Sequence, residues 1–244
     1  YPGFNLWTCA AMANVAGFWL VSLRHYLSDA GTVIAANSLI VLSAVLICRG
    51  LTRFCAKPQV NWLDASAMAL TLGCFSYFTL VEPSVNARIV FISFMTGVLY
   101  LRAVLLAVGP VARLVGQINI LLAGSLAMLS LWALTRIFVS WFWDQRMVDF
   151  MSAGTYHGMT FLVLIAGNVM TIAGLISLNS RRLENDLSLA VQEIKSLQGM
   201  IPICANCKKI RDDQGYWQQV ESYMEEHAGV EFTHGICPEC MKKL

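Results

Sequence analysis

The stretch Leu114-Val-Gly-Gln-Ile-Asn-Ile-Leu-Leu-Ala-Gly-Ser-Leu-Ala-Met-Leu-Ser-Leu-Trp-Ala-Leu-Thr135 runs for 22 residues without one charged side chain. A helix of about 20 mostly apolar residues crosses the hydrocarbon core of a bilayer. Lipid offers no hydrogen bonds to the backbone, so a spanning segment must satisfy its own amides, as a helix does. We therefore read this stretch as the centre of a membrane span. Working outward, six stretches qualify, at roughly 4–23, 33–53, 62–81, 87–109, 114–139 and 155–179, and the first also carries no charge.

Composition agrees. Hydrophobic residues make up 57% of the 244 and charged residues 13%, against about 25% charged in ordinary soluble domains. The charges are unevenly placed. Residues 1–180 carry nine Lys/Arg and five Asp/Glu, whereas 181–244 carry eight and ten. The first part reads as membrane and the second as a near-neutral soluble appendage with no basic footprint for nucleic acid. Pro2, Pro58, Pro83, Pro110, Pro202 and Pro238 all fall between or outside the proposed spans, as proline's missing donor leads one to expect. The chain begins with Tyr1 and shows no charged n-region followed by a cleavage site, so no secretory signal is expected, and the true N-terminus is expected to lie elsewhere.

Orientation is read from Lys/Arg in short loops. Arg49, Arg53 and Lys57 cluster after the second span, Arg113 follows the fourth, and Arg181 and Arg182 follow the sixth. An even number of crossings separates these sites, so all can be cytoplasmic, which places the C-terminus inside. The opposite loops hold Arg24, Arg88 and Arg146, partly offset by Asp29, Glu82, Asp144 and Asp149. Trp141, Phe142, Trp143 and Phe150 read as an outer interfacial aromatic belt.

Beyond the sixth span the apolar period changes. Leu183, Leu187, Ala190, Ile194, Leu197 and Ile201 are spaced 4, 3, 4, 3 and 4, an a/d seam. No proline lies between Gly154 and Ile201. The span and the seam are thus expected to form one helix of about 45 residues, roughly 67 Å long at 1.5 Å per residue. Membrane tethering raises effective concentration, so a parallel homodimer through 183–201 is expected. The alternative is a helix packed on its own chain.

The tail carries Cys204-Ala-Asn-Cys207 and, after 29 residues, Cys237-Pro-Glu-Cys240. Two C-x-x-C pairs supply the four tetrahedral thiolates of a structural zinc site, and a tail this short needs a staple. A disulfide framework suits an oxidising compartment. A thioredoxin-like dithiol needs one pair beside a βαβ unit. A catalytic zinc would take His234 or His227 in place of one cysteine and keep an open position. An iron–sulfur cluster also accepts four thiolates, at other spacings. Structural zinc on Cys204, Cys207, Cys237 and Cys240 is the expectation, with His234 behind the ligands. Between the pairs, Asp212-Asp213-Gln214-Gly215 predicts a hairpin turn, with Tyr216 and Trp217 as core. Gln218–His227 predicts a helix with Val220, Tyr223, Met224 and His227 on one side. Phe232 leads into the second pair. The expected arrangement resembles a small α+β zinc ribbon or treble clef.

Ile203-Cys-Ala-Asn-Cys-Lys-Lys-Ile-Arg-Asp-Asp-Gln-Gly-Tyr-Trp217, with Phe232-Thr-His-Gly-Ile-Cys-Pro-Glu-Cys240, resembles a short module at the C-terminal ends of many bacterial sensory proteins. The likeness covers nearly all of 200–244. Tyr1-Pro-Gly-Phe, Arg49-Gly-Leu-Thr-Arg-Phe54, and Tyr77-Phe-Thr-Leu-Val-Glu-Pro-Ser84 followed by Arg88-Ile-Val-Phe-Ile-Ser93 are similar to the multi-span sensor regions that precede diguanylate cyclase and histidine kinase domains. That resemblance implies a further span before the Tyr-Pro-Gly-Phe stretch, hence seven in the full protein. The chain departs from those proteins in having no cyclase signature and no kinase nucleotide motifs.

The expected organisation is an all-α polytopic bundle over 1–180, a coiled-coil signalling helix over 181–201 and a four-cysteine zinc module over 202–244. Charges within spans are costly and often functional. Arg102 stands inside the fourth span, to snorkel, to pair or to face a ligand. Tyr156 and His157 open the sixth and are the other candidates for an intramembrane ligand site. Arg88 and Arg136 lie nearer span ends and are expected to snorkel. Asn14, Asn37, Gln117, Asn119 and Asn168 are expected to bond between helices. His25 and His157 sit on different helices and cannot supply the axial pairs of a two-haem cytochrome b. No Walker loop, His-Glu-x-x-His or serine-nucleophile turn is present, so no enzyme is expected. The leading expectation is a bacterial inner-membrane sensor or signalling adaptor with a cytoplasmic protein partner. A structural subunit of a membrane complex is the first alternative, and a transporter or membrane enzyme the second.

Overall fold

The computed structural model describes residues 2–23, 26, 28–142, 155–198, 201–212 and 214–243, with the side chains of 29, 155–157, 195–198 and 228 outside the description. Arg24, His25, Trp143, Asp144, Arg146, Asp149 and Phe150, and the side chain of Asp29, thus lie outside the described residues, so of the opposite-loop charges only Arg88 and Glu82 are described, with half of the aromatic belt. The chain forms two compact units, Tyr1–Leu183 and Glu184–Leu244.

The first unit is built from α1 (Phe4–Ser22), α2 (Asp29–Phe54), α3 (Asn61–Ser76), α4 (Val85–Leu106), the short α5 (Ala112–Val115), α6 (Ile120–Phe142) and the part of α7 (Thr155–Gln198) up to Leu183. Among the described residues six helices are long and apolar enough to cross a membrane. On α2, Val41, Ala44, Cys48 and Leu51 recur at steps of three or four and are 0–1% exposed, the buried stripe of a 3.6-residue helix. Ile92, Met95, Leu99 and Ala103 on α4 and Leu122, Leu126, Leu129 and Ala133 on α6 repeat the pattern and are buried. The outward faces carry Met12, Trp19, Leu70, Leu131 and Leu162, all exposed. Leaving such side chains in water forgoes about 1.5–3 kcal/mol each, whereas lipid tails are as apolar as they are. The chain is a multi-pass membrane protein.

Close approach of α1 to α2 depends on Gly50. A Cβ there would lie 2.1 Å from Nε1 of Trp7, whose ring is 5% exposed and packs 5.6 Å from that of Phe54. Polar side chains join other helices. Asn14 Nδ2 donates to Ser43 Oγ at 3.4 Å, Ser130 Oγ to the Gly97 carbonyl at 3.1 Å, and Thr171 Oγ1 to Ser125 Oγ at 3.0 Å. Asn37 instead donates to its own helix at Val33 O, and Gln117 is exposed in the loop before α6.

The fourth span corrects the proline reading. α4 does not stop before Pro110; it continues through a π-turn at Ala107–Val111, with Pro110 inside, into α5. Proline removes a donor and crowds the carbonyl four residues back, and a π-bulge is one way a helix accommodates such a local irregularity. The helix stops at Gly116, where φ is +81°, a left-handed cap that glycine adopts without strain. The fifth span accordingly starts at Ile120 and not at Leu114. Asn119 opens it: its Oδ1 accepts from Leu122 N at 3.1 Å, and its Nδ2 donates to Gly174 O on α7 at 3.2 Å.

α7 is a single helix of 44 residues, about 66 Å long. Leu175 and Leu178 are buried, while every residue from Leu183 to Ile194 is exposed.

The second unit adds β1 (Ile210–Arg211) and β2 (Trp217–Gln218), paired antiparallel with Ile210 opposite Gln218 and Arg211 opposite Trp217. Asp212 Oδ1 accepts from Gln214 N and Tyr216 N at 3.0 and 2.8 Å, the Asx geometry of the expected turn. Then come α8 (Val220–Ala228) and α9 (Pro238–Met241). Tyr223 and His227 stack on α8 with ring centroids 4.2 Å apart. Two strands and one isolated bridge, Ile203 to Ile210, are the whole sheet among the described residues, which falls short of a zinc ribbon. Tyr216 and Trp217 are 70% and 48% exposed, not core. Of the described residues in this unit only Ile210 is buried.

Candidate functional site

The first unit holds a buried charge cluster. Asp64, in the first turn of α3, is 2% exposed. Its Oδ2 accepts from Arg49 Nε at 2.7 Å and its Oδ1 from Arg102 Nη1 at 2.8 Å. Three helices meet through one carboxylate. This answers the question posed by Arg102: it pairs. Arg49, read from sequence as a loop cation, lies within α2 and is also committed to Asp64. The reason is electrostatic. A carboxylate in low dielectric is tolerated only when paired and hydrogen-bonded, and two arginine forks satisfy both of its oxygens. Asp64 was absent from the candidate residues although it is the one acid in the third apolar stretch, near its start, and Arg102 called for such a partner.

A second basic contact reaches the C-terminal end of α2. Arg182 Nη1, on α7, donates to the Phe54 carbonyl at 2.7 Å, and its guanidinium lies 4.7 Å from the centre of the Phe54 ring.

Toward the other ends of these helices, α1, α2, α3, α4, α6 and α7 enclose a cavity of about 100 Å³. Its polar lining includes Asn14, Asn37, Arg88, Tyr100, Arg136 and Asn168, and its apolar lining Phe75, Ile89, Ile92, Leu129 and Leu164. Tyr100 is fully buried in hydrogen-bonding contact with Asn168. Arg88 and Arg136, expected to snorkel, thus face an interior space, and each also interacts within the chain. Arg102 does not line it. Tyr156 and His157 are in the first turn of α7, but their side chains lie outside the described residues.

In the second unit the cysteines are free thiols. Two cysteine pairs approach to 3.4–3.5 Å, well beyond the ~2.05 Å of a disulfide bond. Lys208 N donates to Cys204 O at 3.0 Å and Cys204 N to Lys209 O at 2.8 Å, while Lys208 takes a φ of +61°. The chain thereby folds back around the first pair. Backbone amides of Cys207 and Asn206, and then the Cys207 side chain, hold the Cys204 thiol below its ordinary value. Cys237 precedes α9, with Pro238 at its first position. The backbone N–H and side chain of Cys240, with the Glu239 amide, lower the Cys237 thiol likewise. Amides aimed at sulfur favour the thiolate, the form that binds metal. Pair by pair the donors fit a thiophilic cation. Among the described residues, no three His, Cys, Asp or Glu side chains converge on one point, so the two pairs are not drawn into one cluster. His234 is exposed in the segment between α8 and α9.

No protein-family model, curated protein or solved structure matches the chain. The fold itself defines the class: a polytopic helical membrane protein, with a second small unit bearing two C-x-x-C pairs.

Proposed function

We propose that this protein is a membrane-embedded sensor or signalling adaptor of the bacterial inner membrane. The bundle receives a ligand or a membrane-derived signal, α7 carries it out, and the cytoplasmic C-terminal unit presents a surface to a protein partner. One observation carries the reading. The same helix that lines the cavity with Thr160, Phe161, Leu164 and Asn168 runs on without a break to Gln198. Displacement at the cavity therefore has a rigid element to act on.

The helix works as a dimer in this reading. Leu187 and Ile194 are 62% and 54% exposed, and their spacing with Ala190 is that of a seam that buries itself against a second copy. Cys204, Cys207, Cys237 and Cys240 would hold one zinc. Bound there, zinc supplies folding energy, not reaction chemistry. A unit with only Ile210 buried among its described residues has little hydrophobic drive to order itself, so a metal drawing the two pairs together is the natural source.

Photocrosslinking tests the dimeric helix. With benzoylphenylalanine placed singly in membranes, positions 187, 190 and 194 should yield dimers, and positions 189 and 192 should not. Equal yields in and out of phase would overturn the proposal.

A further inference from the structure

The carboxylate of Asp64 does not balance the charge around it. It sits between two guanidinia, so the junction of α2, α3 and α4 keeps a net charge of +1. No second acid is at hand. From Tyr1 to Val115 the other acids are Asp29, which starts α2, and Glu82, which lies past the opposite end of α3 and accepts from Tyr77 Oη at 3.2 Å. Arg53, one turn after Arg49 on α2, adds an exposed cation. The two guanidinia also keep donors. Arg49 donates from Nε to Asp64 at 2.7 Å and from Nη2 to Asn61 Oδ1 at 3.5 Å, and Arg102 donates from Nη1 to Asp64 at 2.8 Å. Each guanidinium carries five N–H donors, so most of them have no protein acceptor among the described residues. The side chains are open to the outside, 32% and 26% exposed. Their surroundings face lipid. Val98, four residues before Arg102, and Leu105, three after it, share its face of α4 and are 51% and 65% exposed. Trp62, two residues before Asp64, is 70% exposed, and an indole at a span end marks headgroup depth.

We propose that this junction binds the headgroup of one anionic phospholipid, of the phosphatidylglycerol type. The phosphodiester accepts from the outward N–H groups of Arg49 and Arg102, and the acyl chains lie along the Val98 and Leu105 face of α4. A net charge beside hydrocarbon is costly, and a single phosphate anion cancels it. The planar fork of arginine matches phosphate geometry, and low dielectric strengthens the contact. A zwitterionic headgroup brings its own cation and cannot neutralise the junction. Inorganic phosphate would have to displace lipid tails from the apolar surface beside Arg102. Net charge and lipid-facing surroundings together select the anionic phospholipid. The site needs only that this end of the bundle meets one face of the bilayer, so it holds for a sensor and for a structural subunit alike.

The test is native mass spectrometry of the full chain in a nonionic detergent, with phosphatidylglycerol and phosphatidylcholine of the same acyl chains added at equal concentration. The first lipid bound should be phosphatidylglycerol, preferred by about tenfold, the worth of one charge-assisted hydrogen bond. Arg102→Gln brings the junction to neutrality and should abolish the preference. Arg102→Lys keeps the charge and should restore it. Asp64→Asn raises the net charge and should hold phosphatidylglycerol at least as tightly as the unaltered chain. Both Arg102→Gln and Asp64→Asn weaken the bundle, so opposite effects on lipid selectivity cannot come from lost structure. If Asp64→Asn does not fold, the Gln and Lys variants of Arg102 decide the matter. Equal binding of the two lipids, an unchanged preference in Arg102→Gln, a lost preference in Arg102→Lys, or a lost preference in folded Asp64→Asn would each overturn the proposal. Inorganic phosphate should leave the bound lipid in place. Displacement by it would mark a water-facing anion site and overturn the lipid assignment.

Discussion

Replacing Asp64 by Asn should destabilise the bundle more than any arginine substitution in the same cluster. Asp64 receives two ion pairs, at 2.7 and 2.8 Å, and is 2% exposed. At an effective dielectric of about 20, two unit charges 4 Å apart attract by about 4 kcal/mol. The side chains of Arg49 and Arg102 are 32% and 26% exposed, which screens part of that. Deleting one partner of a buried pair costs about 3–5 kcal/mol because the remaining charge is stranded, and here two cations would be stranded side by side. Arg102→Gln leaves Asp64 bound to Arg49, so its cost should be nearer the ~1.5–3 kcal/mol of one charge-assisted hydrogen bond. The effect should concentrate on α3, the least enclosed span, whose most apolar stretch is only 22% buried. With little packing to hold it, the ion pairs carry more of the burden. SDS-driven unfolding in mixed micelles, followed by circular dichroism, gives the free energies, and Asp64→Asn/Arg102→Gln completes a double-mutant cycle. A coupling below about 0.5 kcal/mol, the additivity limit for independent sites, or a larger loss in Arg102→Gln than in Asp64→Asn, would refute the cluster as described.

Three further outcomes follow from the same geometry. Gly50→Ala should cost about 1–3 kcal/mol by overpacking, and the penalty should vanish in a Trp7→Ala background, since the added Cβ meets only that indole within the tightest distance; the same unfolding assay reads both. Arg182→Gln should cost about 2 kcal/mol, the sum of a modest cation–π contact and a charged hydrogen bond, and less in Phe54→Leu, where the ring is gone but the carbonyl remains. Metal analysis of the purified chain should return one zinc per chain, lost in Cys204→Ser and in Cys237→Ser alike, and a chelator should make 202–244 readily cleaved by protease; zinc retained by either variant would exclude a site shared by the two pairs.

The number of spans, the long last helix, the hairpin at Asp212 and the helix that follows it were legible in the sequence because each rests on local rules: apolar length, absence of proline, turn chemistry. Boundaries were less so. Pro110 reads as a stop, yet a π-turn absorbs it, and the stop falls at Gly116 where the backbone turns left-handed. Tyr216 and Trp217 read as core because they are large and aromatic, but a core needs facing surface, which a unit with so little burial lacks.

By itself the sequence determined that this chain lives in a membrane, since runs of some 20 apolar residues leave water as an untenable solvent, and it set four cysteines into two C-x-x-C pairs, whose spacing brings the partners of each pair together locally. Only the tertiary structure decided which charges meet. Arg49, Asp64 and Arg102 lie on three helices, so no local spacing encodes their encounter. Pairing inside a bilayer is a property of how helices rotate against one another, and that rotation is set by the summed packing of α2 with its neighbours.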